Sequence, residues 1–104
     1  MRIIGVDPGL VNTGYGVIDV NGRSTVAVEG GVSKTKASDA LEFRLAAIYR
    51  DIKEVIEEHK PNVMAVEDLH SRYRNLKTAI IMGHARGVVV LAAGEAGIPV
   101  FHYQ

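Results

Sequence analysis

The sequence contains no cysteine, which excludes both a disulfide framework and a thiolate metal site. No apolar run approaches the roughly 20 residues that cross a membrane. The N-terminus also lacks the layout of a signal peptide, because Asp7 and Pro8 interrupt its first apolar stretch. Hydrophobic residues make up 47% of the 104 residues, which suits one small globular domain over residues 1–104. We therefore expect a single-domain cytoplasmic protein without a membrane partner.

The formal net charge is zero, but charges of opposite sign are segregated along the chain. Residues 69–94 contain no Asp or Glu, and they carry four basic residues and two histidines. Residues 39–58 carry six acids against three bases. Segregation of this kind predicts one positive and one negative face; the alternative is two ordinary solvated helices.

The first third of the sequence predicts a three-stranded meander. Residues 2–7 form a short, β-branched apolar run that ends at Pro8-Gly9, which is typical of a buried strand. Residues 13–20 and 23–32 flank Asn21-Gly22. This dipeptide favours a type I′ hairpin turn, in which both central residues have positive φ.

The remainder alternates helices with strands. Apolar residues at spacings of three and four predict a helix over residues 39–58, with Asp39 as its N-cap, Glu42 completing a capping box and Lys60-Pro61 ending it. The apolar run at residues 63–66 is typical of a strand covered on both faces.

A second helix is predicted over residues 76–95, followed by a last strand at residues 98–103. Gly83 and Gly87 share the apolar stripe of this helix, where they would allow close packing against the sheet or a partner helix. The predicted order is β-β-β-α-β-α-β, an α/β fold with a five-stranded mixed sheet. Strands one to three are antiparallel, and strands four and five run parallel to the first.

Two carboxylates end predicted strands. Asp7 ends the first strand, and Glu67 ends the fourth. If these strands are parallel neighbours about 4.8 Å apart, both side chains reach one edge of the sheet and repel by roughly 3 kcal/mol at an effective dielectric near 20. A cation relieves such repulsion, and oxygen ligands suit Mg²⁺ or Mn²⁺. The alternative for each acid alone is a turn former or a solvated strand end. Asp68 should face the opposite way by strand alternation.

Basic and aromatic side chains are interleaved directly after Glu67. This arrangement suits phosphate contact combined with base stacking, and its alternative is a solvated loop. The candidate DNA-binding residues are His70, Arg72, Tyr73, Arg74 and Lys77.

Three segments carry a resemblance to a known family: residues 7–18 (DPGLVNTGYGVI), 65–68 (AVED) and 78–88 (TAIIMGHARGV). In this order they resemble the RuvC family of Holliday junction resolvases. The resemblance implies an RNase H-like fold, a homodimer and Mg²⁺-dependent nicking of four-way DNA junctions, with a junction-migrating helicase complex as partner. Asp7 and Glu67 match the family's first catalytic Asp and its catalytic Glu.

The sequence departs from the family pattern at two places. His70 stands about where the family carries an aromatic residue that wedges into the junction, and Tyr73 is the alternative wedge. The family also has two further acids on a C-terminal helix, and the chain stops at Gln104. We therefore expect this helix to be missing and the chain alone to be inactive in cleavage. Two other functions stay open: a module that binds branched DNA without cutting it, and a nucleotide-phosphate-binding domain of the actin-like or sugar-kinase type.

Overall fold

A computed structural model of the chain describes residues 1–69 and 75–104. Its elements follow the predicted order β-β-β-α-β-α-β. Their bounds are β1 Arg2–Asp7, β2 Asn12–Asn21, β3 Ser24–Lys34, α1 Leu41–His59, β4 Val63–Glu67, α2 Leu76–Glu95 and β5 Val100–Tyr103.

The five strands form one mixed sheet in the order β3-β2-β1-β4-β5. β1, β2 and β3 pair antiparallel as a meander. β4 pairs parallel with β1, and β5 pairs parallel with β4. The predicted mixed sheet is therefore confirmed, and β1 lies at its centre.

One face of the sheet is buried beneath both helices. Ile4 and Val6 of β1 and Met64 and Val66 of β4 are buried, whereas the residues that alternate with them are half-buried or exposed. This is the period-two pattern of a strand with one face in a core. The core contains four or five side chains from each contributing layer: Ile4, Val6, Val17, Met64 and Val66 from the sheet, Ile48, Ile52, Val55 and Ile56 from α1, and Ala85, Val89, Ala92 and Ala93 from α2.

The opposite face of the sheet carries small or exposed side chains. Gly5 pairs with Gly16 on one side and with Ala65 on the other, so three small residues lie in register across the central strands. Farther out on the same face, Val32 is 52% exposed and Phe101 is 62% exposed. This face is apolar and accessible.

The β2–β3 hairpin is where predicted, but its turn type is not. Asn21 pairs with Ser24, so the two-residue loop is Gly22-Arg23. Gly22 has φ 64°, and neither Asn21 nor Arg23 has positive φ. A type I′ turn needs positive φ at both central residues, so the type I′ prediction is wrong.

The ends of α1 differ from prediction at one terminus. The N-cap is Ala40, whose side chain makes no capping bond, so the predicted Asp39 capping box is wrong. The Asp39 N–H instead donates to the carbonyl of Lys36 in a preceding turn. At the other end the helix stops at Lys60, which takes a left-handed conformation with φ 50° before Pro61. The prediction of a stop at Lys60-Pro61 is confirmed.

α2 begins and ends where predicted, and the side chain of Asn75 caps it by accepting the Lys77 N–H at 2.9 Å. By length and composition this helix could span a membrane, which the absence of a long apolar run in the sequence did not predict. In the fold its buried residues instead complete the core. A Cβ on Gly87 would meet open space, so packing of this glycine against the sheet is wrong and its stripe faces outward.

Candidate active site

Asp7 and Glu67 end neighbouring parallel strands at the centre of the sheet. Val6 pairs in register with Val66, so the two acids that follow them emerge side by side at the carboxyl edge. This edge is where open α/β sheets bind ligands. The geometric expectation from the sequence is therefore confirmed.

Both carboxylates line one cleft of about 230 Å³. Its other walls are Pro8 and Asp68-Leu69 from the strand ends, with Met82 and Arg86 from α2. Asp68 also lines this cleft, and its carboxylate accepts from Arg86 on α2, the helix that covers the buried face of β4. This contact agrees with the prediction that Asp68 faces the opposite way from Glu67 and has a structural role.

A tight loop after Asp7 forms one side of this edge. The buried hydroxyl of Thr13 donates to the Gly9 carbonyl at 2.6 Å and accepts the Gly9 N–H at 3.2 Å. A Cβ on Gly9 would overlap the carbonyl oxygen of Asn12. The loop that follows Asp7 is therefore closed by one side chain and requires glycine at its first turn.

A buried arginine holds the same loop from outside. Arg44 in the first turn of α1 is 9% exposed, and its Nε donates to the Thr35 hydroxyl at 3.1 Å. Thr35 in turn donates to the carbonyl of Leu10, toward which Arg44 Nη2 also points at 3.4 Å. The Asp7 loop is thereby fastened to both β3 and α1.

A second arginine crosses the other side of the cleft. Arg86 donates from Nε to the Glu67 carbonyl at 3.2 Å and from Nη2 to the Asp68 carboxylate at 2.9 Å. The same Nη2 contacts Nδ1 of His102 on β5, and His102 lies 3.8 Å from Asp68. Sequence reasoning did not single out Arg86, because these contacts depend on how α2 packs over the strand ends.

Most of the predicted DNA-binding residues lie outside the described part of the chain, namely His70, Arg72, Tyr73 and Arg74. Lys77 is described: it is exposed in the first turn of α2. It does not line the carboxylate cleft, but Thr78 beside it lines an apolar groove of about 390 Å³ against the Gly9–Asn12 loop. Lys77 is therefore positioned at the same end of the sheet as the two acids.

Another group of titratable side chains lies where α1 crosses β3. His59 pairs with Glu29, and their ligand atoms together with that of Glu58 lie within 4.8 Å of one another. Burial, followed by the nearby carboxylates of Glu29, Asp51 and Glu58, raises the pKa of Tyr15 in this seam. Sequence reasoning missed this group, because Glu29 lies in β3 whereas Glu58 and His59 lie at the end of α1.

The fold and the site together define a class of protein. The meander, the two crossover units and the acids at the central carboxyl edge are those of an α/β protein with an RNase H-like fold. The family model described as Crossover junction endodeoxyribonuclease RuvC matches residues 3–104. The chain belongs to the RuvC family.

Relatives of known name are similar to the chain over almost its whole length. It is 49% identical over 102 residues to the crossover junction endodeoxyribonuclease RuvC of Rhodopirellula baltica, covering 98% of this chain and 57% of that protein. It is 43% identical over 103 residues to the protein of the same name in Pelotomaculum thermopropionicum, covering 99% and 62%. The chain therefore spans about three-fifths of the length of these relatives.

Solved structures give the same result. The chain is similar to T. thermophilus RuvC in complex with a Holliday junction substrate, with a TM-score of 0.92 and 34% identity, over 99% of this chain and 64% of that one. An Aquifex aeolicus PPX-GPPA enzyme matches 98% of this chain with a TM-score of 0.56 and 13% identity, which shows a shared fold alone.

Proposed function

We propose that the chain provides the first two metal-binding acids of a nuclease that nicks four-way DNA junctions in recombination and repair. The observation that carries the proposal is the shared cleft of Asp7 and Glu67 in a member of the RuvC family. A relative of the same fold was solved with a Holliday junction substrate, which supports this substrate class.

The donor set of the cleft fits Mg²⁺, with Mn²⁺ as a substitute. Asp7 and Glu67 offer carboxylate oxygens, and the chain has no cysteine that would favour zinc. When bound, such an ion activates water and stabilises the charge that develops on the leaving oxygen of a phosphodiester. Asp7 and Glu67 would hold the ion, and the loop closed by Thr13 keeps Asp7 in place at the strand end.

Nicking of a four-way junction by the full-length protein tests these roles. Asp7→Asn and Glu67→Gln are each expected to abolish Mg²⁺-dependent nicking, because each removes a negative metal ligand without changing its size. Asp19→Asn is the matched control, since Asp19 pairs with Arg2 away from the cleft. Full nicking activity in Asp7→Asn would refute the catalytic assignment and leave the fold untouched.

The 104-residue chain alone is expected to bind junctions without robust nicking, because the family supplies two further acids on a C-terminal helix. Strong Mg²⁺-dependent cleavage by this chain would contradict that expectation. If the full-length protein also binds but never cuts, the alternative of a non-cleaving branched-DNA module is the correct one.

DNA contact is proposed for the basic segment beside the cleft, with Lys77 as its testable member. Lys77→Ala is expected to weaken junction binding at every sequence and to lower the slope of log affinity against log salt by about one unit, since one phosphate contact is lost. Lys60→Ala is the control, because Lys60 lies at the C-terminal end of α1, whereas the first turn of α1 is the end that contacts the loop after Asp7. An unchanged salt slope in Lys77→Ala would remove this residue from the DNA interface. His70, Arg72, Tyr73 and Arg74 remain predictions of the same kind.

A homodimer is proposed through the outer stripe of α2. Leu76 is 75% exposed, and Ile80 and Leu91 are each 53% exposed on this helix. The stripe from Leu76 to Leu91 is about 22 Å long at 1.5 Å per residue, and Gly87 within it meets open space, which leaves room for a second helix. A continuous apolar stripe of this length favours association between copies.

Sedimentation analysis of the chain tests this interface. Ile80→Glu is expected to shift the protein from dimer to monomer, because it puts a charge in the centre of the stripe. Val26→Glu is the matched control, since Val26 is 59% exposed on β3, far from α2. A wild-type chain that stays monomeric at high concentration would refute the dimer.

We also propose that the protein is cytoplasmic, as expected from its sequence, and that it works with a junction-migrating helicase complex, as the resemblance implies. Co-sedimentation of the chain with such a helicase complex on a junction, compared with a linear duplex, tests the partnership. Equal recovery of the chain with the helicase complex on the junction and on the linear duplex would argue against the partnership.

A nucleotide-phosphate-binding function is the less favoured alternative. The similarity to a PPX-GPPA enzyme supports only the common fold. A rise in melting temperature with ATP and Mg²⁺ beyond that with Mg²⁺ alone would favour this alternative.

A further inference from the structure

Arg86 is the one basic side chain among the described residues that line the carboxylate cleft. Its side chain is 20% exposed, and it reaches from the middle of α2 to the ends of two strands. Buried guanidinium groups keep their positions when several of their N–H groups have fixed acceptors. Arg86 has such acceptors on both β4 and the residue that follows it.

The contacts of Arg86 converge on the backbone corner at Glu67-Asp68. Nε binds the Glu67 carbonyl, and Nη2 binds the Asp68 carboxylate. The Asp68 N–H donates to the carbonyl of Tyr103 at 2.6 Å, which ties this corner to β5. Arg86 also contacts His102, one residue before Tyr103. One side chain thereby joins α2 to the cleft ends of β4 and β5.

We propose that Arg86 is a positioning residue that fixes the Glu67 corner so that the Glu67 carboxylate faces Asp7. Its Asp68 partner then serves Arg86 as an anchor and is withheld from the cation. The effect of Arg86 on cation binding rests on the proposed function, whereas its effect on the backbone at Glu67-Asp68 does not.

A positioning role and a purely electrostatic role of Arg86 predict opposite changes in cation affinity when Arg86 is replaced by Gln. If Arg86 acted only through its charge, Arg86→Gln would strengthen cation binding, because a positive neighbour of the site is removed. Arg86→Lys would then leave binding unchanged, because the charge is kept. If Arg86 positions Glu67, both variants weaken binding, since neither can bridge the carbonyl and the carboxylate as a guanidinium does.

The affinity of the chain for Mn²⁺, measured by electron paramagnetic resonance of the free ion, shows whether the Arg86 variants bind the cation more tightly or more weakly. We expect about tenfold weaker binding in both Arg86→Lys and Arg86→Gln, the size found for residues that orient metal ligands. Arg50→Gln is the charge-matched control, because Arg50 is exposed on α1, and it should bind as the wild type does. Tighter binding in Arg86→Gln, or unchanged binding in Arg86→Lys, would overturn the inference.

Amide hydrogen exchange supplies the readout that needs no metal. The Asp68 amide should exchange about tenfold faster in Arg86→Lys, as expected for local loosening. The Met64 amide, which donates to the Pro99 carbonyl at the other end of the β4–β5 pair, should be unchanged. Equal acceleration of both amides would show a general loss of stability and overturn the positioning role. Absence of Mn²⁺ binding in the wild type would refute the proposed metal site and leave the exchange result to decide on Arg86.

Discussion

Removal of one hydroxyl from Thr13 should measure how firmly the loop after Asp7 is held. Thr13→Val keeps the shape of a fully buried side chain and deletes two hydrogen bonds, at 2.6 Å to the Gly9 carbonyl and 3.2 Å from the Gly9 N–H. A hydrogen bond contributes about 1 kcal/mol net, and a partner left unsatisfied costs about 1–3 kcal/mol. We therefore expect the free energy of unfolding to fall by about 1–3 kcal/mol.

Urea and thermal unfolding followed by circular dichroism give this value. For a domain of this size 1 kcal/mol corresponds to roughly 4–8 °C, so Tm should fall by about 5–20 °C. Thr25→Val makes the same chemical change at an exposed position of β3 and should stay within about 0.5 kcal/mol of the wild type. If Thr13→Val unfolds like Thr25→Val, the hydroxyl does not hold the loop and the reasoning fails.

Three further outcomes are expected. Gly9→Ala should lower Tm far more than Gly14→Ala in the same melting assay, because a Cβ on Gly9 would overlap backbone and one on Gly14 would meet open space; equal losses would contradict the close approach. The Arg2 guanidinium holds the pKa of the Asp19 carboxyl below its ordinary value. The pair therefore stabilises the fold above about pH 4 and loses its effect as the pH falls through the lower folded value, so the Tm gap between Arg2→Gln and wild type should shrink toward pH 2. A Tm difference that does not change with pH would refute this link between the Asp19 pKa and stability. Ile52→Ala, at a fully buried position, should cost about 2–5 kcal/mol in urea unfolding, and a loss below 1 kcal/mol would show that α1 does not complete the core.

The strands and helices were predictable where the signal is local. β1 and β4 are short apolar runs that each end at an acid, and this pattern predicted both strands. The meeting of Asp7 with Glu67 followed only with the further assumption that the two strands are parallel neighbours, which the sheet confirms. The β2–β3 turn was not predictable in the same way. Its type depends on the pairing of Asn21 with Ser24, and that register shifts at an irregularity between Val17 and Ile18. The hairpin follows from local sequence, whereas its register is a property of two strands together.

The candidate site was also predictable only where the signal is local. Its acids end strands and can be found by inspection, but the roles of Asp68 and Arg86 depend on the placement of α2 over the strand ends. Thr13 looks like any strand threonine until the loop before it closes. A single sequence carries no pattern for contacts between residues of this separation, and the outward direction of the Gly87 stripe was hidden for the same reason.

The central place of β1 has a consequence for the order in which the chain folds. β1 is the first strand made, and the meander beside it forms from residues close in sequence, whereas Ile3 meets Val63 only about sixty residues later. Closing a loop of that length costs about 4 kcal/mol of chain entropy, so we expect this pairing to form late, together with the helices that cover it. The meander without β4 therefore contains Asp7 but no companion acid. The proposed cation site can form only when β1 and β4 have paired.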